Sequence, residues 1–311
     1  MSDLLAIGEA LVELDQPGEG APFVQGYGGD ASTAMIAAAR LGADAAFFTA
    51  VGADRFGQAL TELWMREGVD ASRIVVNGGA HTGLAFVTHG SEGRQYSYLR
   101  AGSAASRIGE SDLPVDRIRE MKILHVSGTS QAISSSAADA VFAAIDIARG
   151  ARRLVAYDPR LDLKLWPLRR ARAIIHEAMR SSDIALPDLD DATALASRSA
   201  PDAIVDFYLR LGARVVVLKL GETGALIATP KRRERITAPP VKPVDSTGAD
   251  DCFDGAFLAE FVRDGDPFAA ARFAQVAASL STLGVGAIAP LPRRAEVEAA
   301  LSGTTRRRGS F

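Results

Sequence analysis

Asp245-Ser246-Thr247-Gly248-Ala249-Asp250-Asp251-Cys252-Phe253-Asp254-Gly255-Ala256-Phe257 is the stretch on which the fold turns. It follows an extended, Pro-bearing segment at 238–244 and opens a helical pattern whose apolar positions include Phe253, Ala256, Phe257 and Phe261. Small residues at Gly248 and Ala249 let backbone N–H groups close on an anion. A helix starting there aims its free N–H groups and the positive end of its dipole at the same point, which suits a phosphate. Asp251 falls in the first turn, where a carboxylate can take the proton of a substrate hydroxyl attacking phosphorus. Ordinary capping by Asp245, Thr247 or Asp250 accounts for the same residues, and the letters alone leave both readings open.

Outward from this stretch the chain alternates strand and helix. Apolar runs at 4–8, 45–51, 123–126, 154–157, 184–186 and 215–218 read as strands, the last, four apolar residues in a row, as one covered on both faces. Helical patterns lie between and after them at 31–41, 56–67, 134–149, 169–180, 201–211, 249–262, 267–283 and 293–301. Two β-only segments break the rhythm: short strands at about 11–27, and a hairpin at 82–100 whose arms, 82–88 and 94–99, flank Gly90-Ser91-Glu92-Gly93. The expectation is one α/β domain spanning 1–311, with a mainly parallel sheet and a small, discontinuous β-sheet projecting as a lid. Segments 225–228 and 235–238 flank Lys231-Arg232-Arg233, read as a solvated hairpin tip. Residues 302–311 read as a mobile tail.

Composition narrows the function. The 311 residues are 48% hydrophobic and 23% charged, which are globular values, and the net charge of −3 speaks against a nucleic-acid binder. One cysteine, Cys252, excludes an intrachain disulfide framework and a Cys-based zinc cluster. The four histidines lack metal-ligand spacing. No apolar run reaches the roughly 18 residues of a membrane span, and the N-terminus lacks a basic leader, so a cytoplasmic protein with no membrane partner is expected. The chain contains no Gly-Lys dipeptide and hence no Walker A loop. Gly26-x-Gly28-x-x-Ala31 matches a dinucleotide fingerprint but follows the β-rich insertion instead of the first strand.

Over nearly its full length the chain resembles the ribokinase-like sugar kinases, the PfkB family. Gly28-Gly29-Asp30-Ala31 leading to Ala39-Arg40-Leu41-Gly42 carries the resemblance, together with the 245–251 stretch continuing through Gly255-Ala256-Phe257-Leu258. Within the family it is most similar to 2-keto-3-deoxygluconate kinases, through Gly8-Glu9, Tyr98-x-Arg100-x-Gly102-Ser103-Ala104, Asp158-Pro159 running to Leu165-Trp166, and Gly286-Ala287-Ile288-Ala289-Pro290. The resemblance implies a three-layer α/β/α sandwich, ATP, Mg²⁺ and phosphoryl transfer to a primary sugar hydroxyl. It makes Asp251 the catalytic base and the N–H groups of Gly248, Ala249, Asp250 and Asp251 the anion hole. It puts Lys219, Gly221 and Gly224 beside the nucleotide, and Ala278 and Ser281 at the adenine. Gly28, Gly29, Asp30, Thr33, Tyr98, Arg100 and Asp162 fall at the sugar, with Arg100 meeting a sugar-acid carboxylate. Asp188 and Asp191 hold Mg²⁺ through water.

Four departures mark this chain. Thr33 stands where the family has Asn. Asp162 stands where the family has an arginine that binds the substrate carboxylate; Arg160, two residues earlier, would share a face with it on an extended segment, but its tip would have to reach over, so it does not simply substitute. Ala85 replaces an aromatic residue beside Phe86. Asp250 replaces a glycine of the anion hole. Three functions therefore stand: a 2-keto-3-deoxygluconate kinase, a kinase for a neutral ketose such as fructose, and a weakly active or inactive ribokinase-fold binding protein. The partner is a small sugar or sugar acid, and the lid's apolar face could pair two copies.

Overall fold

The computed structural model describes residues 3–90 and 93–308. The first half contains β1 (Leu4–Ile7), β2 (Leu11–Gln16), β3 (Val24–Gly28), α1 (Asp30–Arg40), β4 (Ala45–Phe48), β5 (Ala50–Gly52), α2 (Arg55–Glu67), β6 (Val75–Asn77), β7 (Leu84–Gly90) and β8 (Gly93–Leu99). There follow α3 (Val115–Glu120), β9 (Ile123–Ser127), α4 (Gly128–Ala132), α5 (Ser135–Gly150), β10 (Leu154–Asp158), α6 (Leu168–Arg180), β11 (Ile184–Ala185), α7 (Leu189–Ala196) and α8 (Pro201–Leu211). The chain closes with β12 (Val215–Lys219), β13 (Ala225–Ala228), β14 (Arg233–Ile236), α9 (Ala249–Asp264), α10 (Pro267–Ser281) and α11 (Arg294–Arg308).

Eight strands form the main sheet in the order β14-β13-β12-β11-β10-β9-β1-β4. All neighbours are parallel except the β12–β13–β14 meander. Two apolar cores cover its faces: one joins α1, α2, α9 and α10, the other α5, α6 and α8. The three-layer sandwich follows from strands such as β9 and β12, buried along their whole length and unable to face water on either side.

The second sheet has the order β3-β2-β7-β8, with β2 and β7 parallel and the outer pairs antiparallel. It therefore unites the two β-only segments, and the β2–β7 seam is what joins them. Register places Glu13 opposite Ala85 and Ala85 opposite Tyr98, so these three share one face. Tyr96 stacks on Tyr98 along that face, the rings 6.1 Å apart.

Several elements depart from the sequence pattern. The run at 45–51 breaks at Thr49, and β5 leaves the main sheet to pair with β6, a strand too short to register as a pattern. The strand expected at 235–238 lies at 233–236, which draws Arg233 out of the hairpin tip to pair with Asp202 and Asp206. The last helix continues through 302–308, the described part of the expected tail, because a lone Gly303 costs a helix only about 1 kcal/mol. Residues 309–311, Met1, Ser2 and the turn residues Ser91 and Glu92 lie outside the described residues. Among the described residues no helix is long and apolar enough to cross a membrane.

Candidate active site

A cleft of about 500 Å³ opens between the lid face and the carboxyl ends of the parallel strands. That is the position where open α/β sheets take ligands. Gly28, Gly29, Asp30, Thr33, Tyr98, Arg100, Asp162, Asp188, Asp191, Gly248, Asp250 and Asp251 all line it, drawn together from across the chain.

Its far end is the start of α9. Gly248 is the N-cap, in the left-handed region at φ 76°, and no side chain caps the helix. The capping alternative raised by the sequence is therefore not what the helix uses. A Cβ on Gly248 would lie 3.0 Å from both Cα and Cβ of Ala287, so only glycine fits against that backbone. Asp245 shapes the preceding loop: it accepts from the Thr247 N–H at 3.0 Å and the Gly286 N–H at 2.8 Å. Burial works to raise its carboxyl, but these amides, the Thr247 hydroxyl and Arg94 hold it below the usual range. Arg94 reaches down from the lid to grip Asp245, at 2.9 Å, and the Thr247 hydroxyl. The amide of Ala249 is spent on the Ser246 carbonyl at 3.1 Å. The expected four-amide anion hole thus reduces to Gly248, Asp250 and Asp251, whose N–H groups have no acceptor among the described residues.

Asp251, at the third helical position, is only 6% exposed. Burial raises its pKa; Arg160, with a guanidinium nitrogen 3.0 Å from Oδ1, pulls it back, and Asp30, Asp250 and Asp158 push it up again, leaving it at about 6. A carboxyl poised there is ionised at neutral pH and basic enough to take a hydroxyl proton. The kcat/KM for the sugar is accordingly expected to fall with pH through an acid limb near 6, because protonation removes the proton acceptor. A pH–rate profile checks this, and a flat profile down to about pH 5 would rule Asp251 out as a titrating base.

The near end is suited to hydroxyl groups. Asp30 is fixed by the Ser127 hydroxyl at 2.6 Å and the Ala31 N–H at 2.7 Å. Thr33 is fully buried on the cleft floor and its hydroxyl lacks a partner. Arg100 does not reach freely into the cleft as expected. It donates to Glu9, itself 3% exposed, and lies 3.7 Å from Asp162 and 5.1 Å from the centre of the Tyr98 ring. Burial raises the Glu9 carboxyl, against the pull of Arg100. Asp162, read as facing an incoming carboxylate, is turned onto this arginine.

Asp188 caps α7 by accepting from the Asp191 N–H at 2.9 Å, and Asp191 accepts from the Leu161 N–H at 2.6 Å. Burial, then the Asp188 carboxylate, pushes Asp191 up to about 8. Among the described residues no group of three or more acidic, His or Cys side chains is placed to hold a metal unaided. The pair suits a cation that keeps most of its water and discharges crowded carboxylates, as Mg²⁺ does.

Other expected contacts lie elsewhere. Lys219 is 3% exposed and points inward, 3.0 Å from Asp254 and 3.5 Å from Asp158. Burial opposes its charge, yet the two carboxylates hold its pKa well above the usual range. Gly221 and Gly224 form the β12–β13 turn, while Ala278 and Ser281 are buried on α10; none of these four lines the cleft. Ala85 is buried within the lid, and Phe86 packs edge-on to Phe23, 5.9 Å away. The sequence reading missed Glu13, Asp190 and Arg160 in the cleft. Alternation along Leu11-Val12-Glu13-Leu14-Asp15 carries the signal for Glu13. For Arg160 the sequence suggests only a shared face with Asp162, and its φ of 24° departs from that extended path and turns the side chain toward α9.

An α/β sandwich with a small sheet over a polar cleft, closed at one end by open amides and a buried carboxyl, has the architecture of a small-molecule phosphotransferase. The sequence profile of the pfkB family carbohydrate kinases matches residues 1–294. The chain belongs to this family. It is 32% identical to a probable fructokinase-5 of Arabidopsis thaliana, over 95% of this chain and 96% of that one. It is 34% identical to a 2-dehydro-3-deoxygluconokinase of Thermoproteus tenax, over 95% and 94%. A putative ribokinase II of E. coli, solved with ATP and Mg²⁺, superposes with a TM-score of 0.90 at 25% identity, covering 97% of this chain and all of that one.

Proposed function

We propose that this carbohydrate kinase transfers the γ-phosphoryl group of ATP to the terminal hydroxyl of an uncharged ketose of the fructose class. The phosphotransfer reading is supported by Asp251, buried beside the open amides of Gly248 and Asp250. The sugar class is carried by one observation: the guanidinium beside Asp162, Arg100, is already held by carboxylates, and the other, Arg160, lies at the α9 end of the cleft. Arg100 is paired with Glu9 and Asp162, and Arg160 with Asp251 and Asp250. The lining also holds nine carboxyl groups, those of Glu9, Glu13, Asp30, Asp162, Asp188, Asp190, Asp191, Asp250 and Asp251. A substrate carboxylate entering this cleft would have to displace an existing ion pair, whereas neutral hydroxyls gain acceptors and the Thr33 hydroxyl.

Asp251 takes the proton of the terminal hydroxyl as its oxygen attacks phosphorus, while the amides hold the phosphoryl oxygens. Asp188 and Asp191 would hold Mg²⁺ through its waters, and the metal supplies the charge that lets a polyphosphate enter so acidic a cleft. Use of ATP and a single buried thiol, Cys252, fit a cytoplasmic protein.

The second reading, 2-keto-3-deoxygluconate, is favoured by the Tyr98–Arg100 pair in the lining and by the Thermoproteus relative. A coupled ADP-release assay with fructose, 2-keto-3-deoxygluconate, ribose and tagatose 6-phosphate separates the two. The highest kcat/KM is expected with fructose. A preference for the sugar acid would overturn the ketose reading, and inactivity on all four with ATP binding intact would leave a binding protein.

A further inference from the structure

We infer that Arg160 supplies the fixed positive charge for phosphoryl transfer in this chain, an assignment that rests on the kinase reading above. No role for Arg160 follows from the resemblance, which expects the cleft arginine two positions later, where Asp162 stands.

The geometry comes from the backbone. Arg160 follows β10 with φ 24°, a turn unusual for a side-chain-bearing residue. Its N–H donates to Asp158 Oδ1 at 3.2 Å, and its carbonyl accepts from the Thr129 hydroxyl at 3.4 Å. The next amide, on Leu161, is tied to Asp191. With its base clamped on both sides, the side chain crosses the cleft to the start of α9. One guanidinium nitrogen lies 3.0 Å from Asp251 Oδ1 and the other 3.9 Å from Asp250 Oδ2.

The contact with Asp251 is an ion pair without an aligned hydrogen bond: Oδ1 of Asp251 is buried and has no hydrogen-bond partner. The guanidinium is thus in place but its donors are not committed to the base. A phosphoryl group seated on the amides of Gly248, Asp250 and Asp251 would come within its reach and meet a planar fork suited to phosphate oxygens. The need is electrostatic. Asp250 and Asp251 put two carboxylates beside the incoming group, and Asp30, Asp158, Glu13 and Asp254 add to the negative field around Asp251. Against these, Arg160 is the guanidinium facing the base.

In the reaction the sugar oxygen forms its bond to the γ-phosphorus, and its proton passes to Asp251. The bond from γ-phosphorus to the bridging oxygen breaks, and its electron pair leaves with ADP. Arg160 gives up no proton; it contacts the phosphoryl oxygens as charge shifts across them.

The test compares Arg160→Ala and Arg160→Lys with the unaltered chain, on the preferred sugar of the screen above. Arg160→Ala is expected to lower kcat by about 10²–10³-fold with the sugar KM within about threefold, and Arg160→Lys to recover part of the loss. The acid limb should move to higher pH in Arg160→Ala, because the cation that favours the ionised base is gone. A readout independent of turnover is the binding of ADP with aluminium fluoride, a phosphoryl mimic. That affinity should fall about tenfold or more while ADP alone binds as before. Unchanged kcat and acid limb in Arg160→Ala, or a rise confined to the sugar KM, would overturn the assignment. Asp251→Asn, run alongside, reports on the kinase reading itself. Full turnover there sinks that reading, whereas an inactive Asp251→Asn beside a fully active Arg160→Ala sinks only the role of Arg160.

Discussion

Asp251→Asn is expected to cut kcat by about 10²–10⁴-fold while leaving the ATP KM within a fewfold, the range for loss of a positioned general base. The substitution keeps the size of the side chain and its place at the third position of α9, so packing at this buried site is retained. What disappears is the capacity to hold a proton. Part of the change concerns Arg160, which loses its nearest carboxylate and keeps only the more distant Asp250. Steady-state kinetics with ATP saturating measure the effect, and thermal unfolding shows whether the fold has survived. Wild-type turnover in this variant would remove Asp251 from the chemistry.

Gly248→Ala carries the second large effect, and it acts through backbone alone. Holding an alanine in the left-handed region costs about 1–2 kcal/mol. The new Cβ would also press on Ala287 at 3.0 Å from Cα and 3.1 Å from the carbonyl oxygen, atoms that cannot rotate away. The loop is held on its other side by Asp245, bonded to Gly286 and gripped by Arg94, so the strain falls on the helix start. Displacing one or more of the open amides should lower kcat by about 10²–10³-fold, with a smaller loss of thermal stability. Wild-type kcat in a stably folded Gly248→Ala protein would show that these amides do not hold the transferring group.

The alternation of strands and helices was legible because doubly covered strands leave unbroken apolar runs and the covering helices leave a helical period. The second sheet was legible as two β-only segments, and its parallel β2–β7 seam explains why neither stands alone. The start of α9 could be read from small residues followed by acids, since an uncapped helix end and a first-turn carboxylate are local features. What could not be read was long-range charge pairing. Whether Lys219 faces a nucleotide or the core depends on Asp158 and Asp254, 61 and 35 residues away. Whether Arg100 is free depends on Glu9, 91 residues earlier. The short helices α3, α4 and α7 escaped for another reason: six, five and eight residues are too few to establish a period.

The path of the chain through the cleft also sets an order of assembly. Cleft residues such as Asp30 lie near the amino end, while the loop before α9 and Asp251 lie beyond residue 244. The two meet where α9 lies on α1, at Gly255, where a Cβ would sit 2.1 Å from the Ala34 carbonyl oxygen. Contacts of such long sequence separation carry a larger loop-closure cost than local ones. During synthesis the lid and the first strands can be complete on the ribosome while the base is still untranslated. On the proposed assignment, a chain that ends before residue 245 lacks both the open amides and Asp251, and is expected to turn over no ATP.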